Sequence, residues 1–319
     1  MSAYIIRRFL QAIVVLLVVT IIVFVAMRLL PGDPIRMLVT QSDAADLTEQ
    51  QVAVIRHQYG LDRPLPVQYV SCITGIVLHG DLGTSILNKS PVKDEIIRRL
   101  PITLHLALTA YILGLLIGIP AGIIAAIKRG KVVDTIVTTF ANLGITMPVF
   151  WLGIMLIYLF GVYLKWLPVM GYTSPFTNFW LSFRQMIMPI SCMVLFPIAS
   201  MSRQTRSSML EVLRQDYIRT AWSKGLKHRV IIVRHALKNG LIPVVTLSGM
   251  GLAFIISGSV MVETVFNIPG MGRLAVQSVN SQDYPYVQGI VLLVAANVDR
   301  KSTRLNSSHS DRSRMPSSA

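Results

Sequence analysis

The sequence predicts an all-α, polytopic membrane protein, and three observations carry that expectation. The 319-residue chain is 53% hydrophobic and only 14% charged, with a mean hydropathy of +0.58. A soluble domain carries roughly 25% charged residues. The apolar residues gather into runs, enough for about six spans of roughly 20 residues each. Basic clusters lie between those runs, where the positive-inside rule puts cytoplasmic loops. The formal net charge of +15 therefore reads as loop charge facing a lipid bilayer, and no nucleic-acid partner is expected.

The first span is Phe9–Met27, uncharged and preceded by Arg7 and Arg8, which places the N-terminus in the cytoplasm. Its apolar core is too long for a cleaved signal peptide, and Pro31 and Pro34 end it. Residues 31–100 form an extracytoplasmic helical segment, with eight acids against seven bases. Within it, 47–59 reads as a helix starting near Thr48 and stopping at Gly60, and 67–78 as a second. The second span covers about 102–127 and meets the basic turn Lys128–Lys131. The apolar run 135–164 is too long for one straight helix and contains Gly144 and Pro148, so a kink or break is expected there. The fourth span is about 185–202, with Pro189 and Pro197 inside it. The fifth is about 241–262, rich in Gly and Ser that permit close helix packing. Residues 101–298 thus make a transmembrane core.

The sixth apolar run, 284–298, is 15 residues long, short of the roughly 20 that a span needs. Seven of the 21 residues in 299–319 are Ser, and the segment has no apolar period. It is expected to be a non-native or disordered tail that truncates the last helix. The tail resembles translated sequencing-adapter sequence.

Between the fourth and fifth spans lies 203–238, with nine Lys or Arg against Glu211 and Asp216. Leu210, Leu213, Tyr217, Ile218 and Ala221 recur at helical spacing, predicting an amphipathic helix up to Gly225. A second amphipathic run, 230–237, leads back to the membrane. From the residues alone, the loop fits equally a docking element for a cytoplasmic protein and an interfacial helix on anionic lipid.

The motifs then carry a resemblance. Asp216-Tyr-Ile-Arg-Thr-Ala-Trp-Ser-Lys-Gly-Leu226 resembles the cytoplasmic signature loop of ABC-importer permeases, and more narrowly of the dipeptide/oligopeptide/nickel group. In chain order, so do Leu30-Pro-Gly-Asp-Pro34, Gly60-Leu-Asp-Arg-Pro-Leu-Pro-Val-Gln-Tyr69, Gly80-Asp-Leu-Gly-Thr-Ser85, Met147-Pro-Val-Phe-Trp-Leu-Gly153 and Val262-Glu-Thr-Val-Phe-Asn-Ile-Pro-Gly-Met-Gly272. Arg219-Thr-Ala221 replaces the Glu-Ala-Ala of the general importer signature, a departure the peptide/nickel group shares. The resemblance implies a six-helix type I permease core with an extracytoplasmic insert after helix 1. It implies a second permease subunit, two cytoplasmic ATPase subunits that use ATP and Mg, and an extracytoplasmic solute-binding protein, all at a bacterial or archaeal cytoplasmic membrane. It implies a peptide as solute, with nickel or another small solute as the alternative. By the same resemblance, Asp216, Tyr217, Arg219, Thr220, Ala221, Lys224 and Gly225 couple to an ATPase.

Asp33, Asp62, Asp81 and Glu263 are candidates for contact with the binding protein, against an equal reading as capping or turn residues. The chain has no G-x-x-x-x-G-K-[ST] phosphate loop and no metal-spaced Cys/His cluster. No catalytic or metal residue and no cofactor of its own are expected. An ion-coupled secondary transporter, the rival class, places ionisable residues inside its spans, and these spans carry almost none.

Overall fold

The computed structural model describes residues 2–32, 35 and 48–295. Among these the chain is helical, and the only strand-like pairing is an isolated bridge between Thr84 and Pro91. By its contacts the chain divides into one unit of Met1–Pro101 with Leu274–Ala319 and another of Ile102–Arg273.

In the first unit, α1 is Ser2–Leu29, running slightly beyond the apolar run at both ends and stopping before Pro31. Helix α2, Glu49–Gln58, starts at a capping box: the Thr48 hydroxyl accepts from the Gln51 amide, and the Gln51 side chain receives the Thr48 amide. This satisfies two helix-end donors reciprocally. Gly60 follows in the left-handed region, at φ +63°, as the sequence predicts. Helix α3, Leu65–Thr74, continues as a wider π turn over Gly75–His79. Met27, Ile35, Ile86, Tyr284 and Val287 form the buried core of this unit. The last described helix, α12, spans Tyr284–Ala295; residues 296–319, including the predicted tail, lie outside the described residues.

Helix α4, Val92–Ile127, is 36 residues long. It starts well before the predicted apolar boundary, because its first turns are charged yet helical: Glu95 holds Arg98 and Arg99 through i,i+3 and i,i+4 ion pairs. The predicted break in the third apolar run is present. Helix α5, Val132–Thr146, stops at Met147, and α6, Val149–Leu156, restarts after Pro148, continuing as a π helix over Ile157–Tyr163. The two halves meet at 99°. Gly144 stays helical instead of hinging.

Helix α7, Phe179–Val212, runs 34 residues straight through Pro189 and Pro197 and ten residues past the predicted span end. Its N-terminus is capped by Asn178, whose side chain accepts from Leu181 N at 3.0 Å. Helices α4 and α7 pack through a glycine ladder. Gly114, Gly118 and Gly122 recur every four residues and face the α7 backbone at Pro197, Ile198 and Ser202. A Cβ on Gly118 would come within 2.8 Å of the Ile198 carbonyl oxygen, and one on Gly122 within 2.5 Å of that of Ser202. Only glycine permits this approach.

Helix α8 is Asp216–Ser223. Helix α9, His228–Gly240, includes a π stretch over Ile231–Ala236. Helix α10 is Ile242–Val265 and α11 is Met271–Asn280. Three described helices are long and apolar enough to cross a membrane, and two bent pairs raise the number to five.

Candidate functional site

Up to Gly225 the basic loop folds differently from the one amphipathic helix that its periodicity predicts, whereas the second predicted run, 230–237, is helical. The chain breaks at Leu213–Gln215, so the loop is the end of α7, the separate α8, and α9. All three share one apolar core. Met209 from α7, Ile218 and Ala221 from α8, and Ile231, Ile232 and Ala236 from α9 are buried together with Ala126. Leu210 and Leu213 pack against the same core. The predicted apolar stripe is therefore real, but it is assembled from two helices. Tyr217 leaves it and faces outward.

Polar ties fix this platform. The Ser208 hydroxyl donates to Gly240 O at 2.7 Å, binding α7 to α9. Asn239 Nδ2 donates to the Tyr217 hydroxyl at 3.0 Å, binding α9 to α8. One step along α7, Arg206 grips Asp134 of α5 with two hydrogen bonds, 2.6 and 2.8 Å. Asp134 also accepts from Gly130 N at 3.0 Å, which anchors the basic turn Lys128–Lys131. Such a bidentate pair fixes orientation as well as distance.

What α8 turns outward is a continuous exposed surface. Asp216, Tyr217, Arg219, Thr220, Lys224 and Gly225 are all exposed, whereas Ala221 faces the core. Ala221 thus supports the surface instead of forming it, because its small side chain lets α8 lie close on α9. Asp216 and Arg219 approach at 3.4 Å and remain 94% and 75% exposed, a geometry worth little in isolation. Gly225 has φ +71°, and a Cβ there would meet nothing within 4 Å. Its requirement is conformational: it ends α8 in the left-handed region. Trp222 and Leu226, in the same motif but outside the predicted coupling set, are apolar yet exposed; Trp222 packs at 5.2 Å on the ring of His228. A Trp inside a basic loop was the signal available. Aromatic and Arg residues on a rigid, exposed helix are what a protein partner's groove recognises.

The four outer candidates separate. Asp33 lies outside the described residues. Asp62 is exposed and accepts from His57 Nδ1 at 2.6 Å; this hydrogen bond holds its carboxyl below the usual aspartate range. Asp81 receives the Gly83 amide at 2.8 Å in a turn. Glu263 is fully buried and is no surface group. Its carboxylate accepts from the Thr103 hydroxyl at 2.7 Å and from Arg273 N at 2.9 Å. The Thr103 hydroxyl in turn accepts from Met271 N at 2.8 Å. Glu263 and Thr103 together cap the N-terminus of α11, and Gly270 and Gly272 leave room for that carboxylate.

A cavity of about 370 Å³ also opens in the second unit. Its apolar wall includes Leu113, Phe183 and Ile187, and its few polar groups include His105, Ser182 and Ser191. His105 Nδ1 lies 3.2 Å from the Tyr172 hydroxyl.

Two family profiles match the chain. One, described as "Binding-protein-dependent transport system inner membrane component", covers residues 118–298. Its N-terminal counterpart covers residues 1–107. The "Probable peptide ABC transporter permease protein y4tP" of Sinorhizobium fredii is 40% identical over 92% of this chain and 93% of its own. The "Glutathione transport system permease protein GsiC" of Salmonella choleraesuis is 42% identical over 92% of each. A solved amino acid ABC transporter shares the fold at a TM-score of 0.51 and 16% identity, over 67% of this chain and 92% of that one. The chain belongs to the family of binding-protein-dependent transport system inner membrane components, and is a multi-pass membrane permease.

Proposed function

As a member of that family, this chain is, we propose, one of two permease subunits of an ATP-driven peptide importer in the cytoplasmic membrane. The observation that carries the reading is the platform of α7, α8 and α9. It is buried and tied on one side and presents Tyr217, Arg219, Thr220, Trp222, Lys224 and Gly225 on the other. A helix held this way moves with α7, so force applied to its outer face reaches a membrane span. Two ATPase subunits, hydrolysing ATP with Mg, supply that force, since this chain has no phosphate loop of its own. Arg7, Arg8 and the Lys128–Lys131 turn keep the N-terminus and the platform on the cytoplasmic side. Residues 31–100 form the extracytoplasmic segment, where the exposed Asp62 and Asp81 are available to a solute-binding protein.

Peptide is the solute class because relatives at 40% and 42% identity carry peptide and glutathione names, and glutathione is itself a tripeptide. The 370 Å³ cavity beside His105 is of ligand-binding size, and we assign it to the translocation route. The test is uptake by the complete transporter in proteoliposomes, with its binding protein and a labelled peptide mixture. ATP-dependent accumulation is expected, with no accumulation of labelled nickel. Peptide uptake driven by an ion gradient without the ATPase subunits would overturn the reading.

A further inference from the structure

The first unit holds a separate chamber of about 240 Å³. Its wall gathers hydrogen-bond donors. Arg28, at the last turn of α1, lines it with Arg63, Gln68, Ser71 and Gln288. Arg28 is half-buried and has no carboxylate partner among the described residues. Its Nε and Nη2 both donate to Gln68 Oε1, at 3.0 and 2.9 Å, and its guanidinium lies 3.5 Å above the Phe24 ring and 4.9 Å from that of Tyr284. Nη1 reaches only Phe24 O, at 3.5 Å. A cation removed from water without an anion is costly, and here one end of its fork is left for another acceptor. Gln288 repeats the pattern. Its Oε1 accepts from Cys72 Sγ at 3.3 Å, while its Nε2 is buried with no partner. Asp81 is the one carboxylate in the wall, and its Oδ1 is engaged by the Gly83 amide.

Below the chamber, Cys72 and Gln288 also line an apolar cleft walled by Val23, Phe24, Ile73, Ile76, Val291 and Leu292. The cleft reaches Thr20 on α1, about 12 Å below Arg28 at 1.5 Å per residue. Ile21, Ile22, Val25 and Leu29 on α1 are exposed and apolar, as a lipid-facing helix requires. Donors at the end of a span, with an apolar cleft beneath them, match one ligand shape.

We propose that this chamber binds a phospholipid, its phosphodiester on Arg28 and Gln288 and an acyl chain along the cleft. Arg suits a phosphate because its planar fork donates two parallel charge-assisted bonds. Arg63, exposed at the chamber wall, adds attraction without holding the fold. The bound lipid supplies the acceptor that Arg28 lacks and keeps α1 and α3 together at the membrane surface.

The experiment uses the assembled transporter, reconstituted in phosphatidylethanolamine with phosphatidylglycerol and then extracted into detergent. Retained phosphatidylglycerol is read by native mass spectrometry. The wild type is expected to keep one lipid per copy of this chain, with roughly tenfold lower retention in Arg28→Gln and a smaller loss in Arg63→Gln. The Arg63 variant serves if Arg28→Gln does not assemble. Equal retention in all three proteins would overturn the proposal. So would thermal stabilisation of the wild type by inorganic phosphate with no lipid retained, which would make this a soluble-oxyanion site. A chamber that responds to neither probe holds only water, and the proposal fails.

Discussion

Two short motifs of the second unit handle their charges in opposite ways. Along Asp216–Gly225 Ile218 and Ala221 turn inward, while the charged residues and Trp222 face out. Along Val262–Gly272 the carboxylate turns inward and every contact it makes is with its own chain. Both motifs carry the family resemblance, and both contain an acid that the sequence offers as a contact. The difference lies in where the partner groups are. Asp216 stays 94% exposed against Arg219, so its surroundings leave it open to another molecule. Glu263 is satisfied by Thr103 and the Arg273 amide before any partner arrives. One motif leaves its charges exposed, whereas the other uses its carboxylate to hold a loop in place.

Breaking the inward motif should have the largest effect. Glu263→Ala would strand the Thr103 hydroxyl and the Arg273 amide in a buried site, at roughly 1–3 kcal/mol per unsatisfied donor. The purified protein should melt at a clearly lower temperature and accumulate poorly in the membrane. Glu263→Gln keeps an acceptor and should lose about half as much. A wild-type melting temperature in Glu263→Ala would return this residue to the surface-contact set.

Next in size is the packing between α4 and α7. Gly118→Leu drives a branched side chain into the backbone at Ile198 and should cost about 1–3 kcal/mol, visible as a lower melting temperature and as protease sensitivity in detergent. A neutral result would mean that α4 and α7 are farther apart in the membrane than here. This ladder illustrates what was legible and what was not. The order of helices, the break at Pro148, the Thr48 cap and the basic platform could all be read from runs, prolines and charge. The Gly114–Gly118–Gly122 ladder carries its own spacing in the sequence, but which helix it meets is a tertiary fact. The break at Leu213–Gln215 escaped because the apolar period continues through it: residues on two helices can keep helical spacing while sharing one core. Glu263 misled for a related reason. A lone acid in a loop reads as exposed, and the groups that bury it come from as far away as Thr103.

The outward motif sharpens the contrast, because changes there should alter transport far more than they alter stability. Arg219→Ala removes an exposed side chain, and such changes usually stay within about 0.5 kcal/mol. ATP-driven uptake should nonetheless fall severalfold, with membrane levels unchanged. Gly225→Asp adds left-handed strain of about 1–2 kcal/mol and no clash, so it too should reach the membrane but uncouple transport. Full uptake in both variants would remove α8 from the coupling role and favour the lipid-surface reading of its sequence.

The smallest effect belongs to Asp62 and His57, exposed like the α8 residues but already paired with each other. The His57 hydrogen bond lowers the folded pKa of Asp62, so any stability the pair contributes is present above the ordinary aspartate value of about 3.9. It is lost as pH falls through the lower folded value. His57→Ala should therefore leave the melting temperature near neutral pH almost unchanged, because exposed pairs contribute little. It should also flatten what acid dependence this segment has. If binding-protein affinity falls in Asp62→Ala and stays intact in His57→Ala, the carboxylate serves the partner. If both variants bind as the wild type does, Asp62 follows Glu263 as an acid whose contacts lie within its own chain, here at the surface.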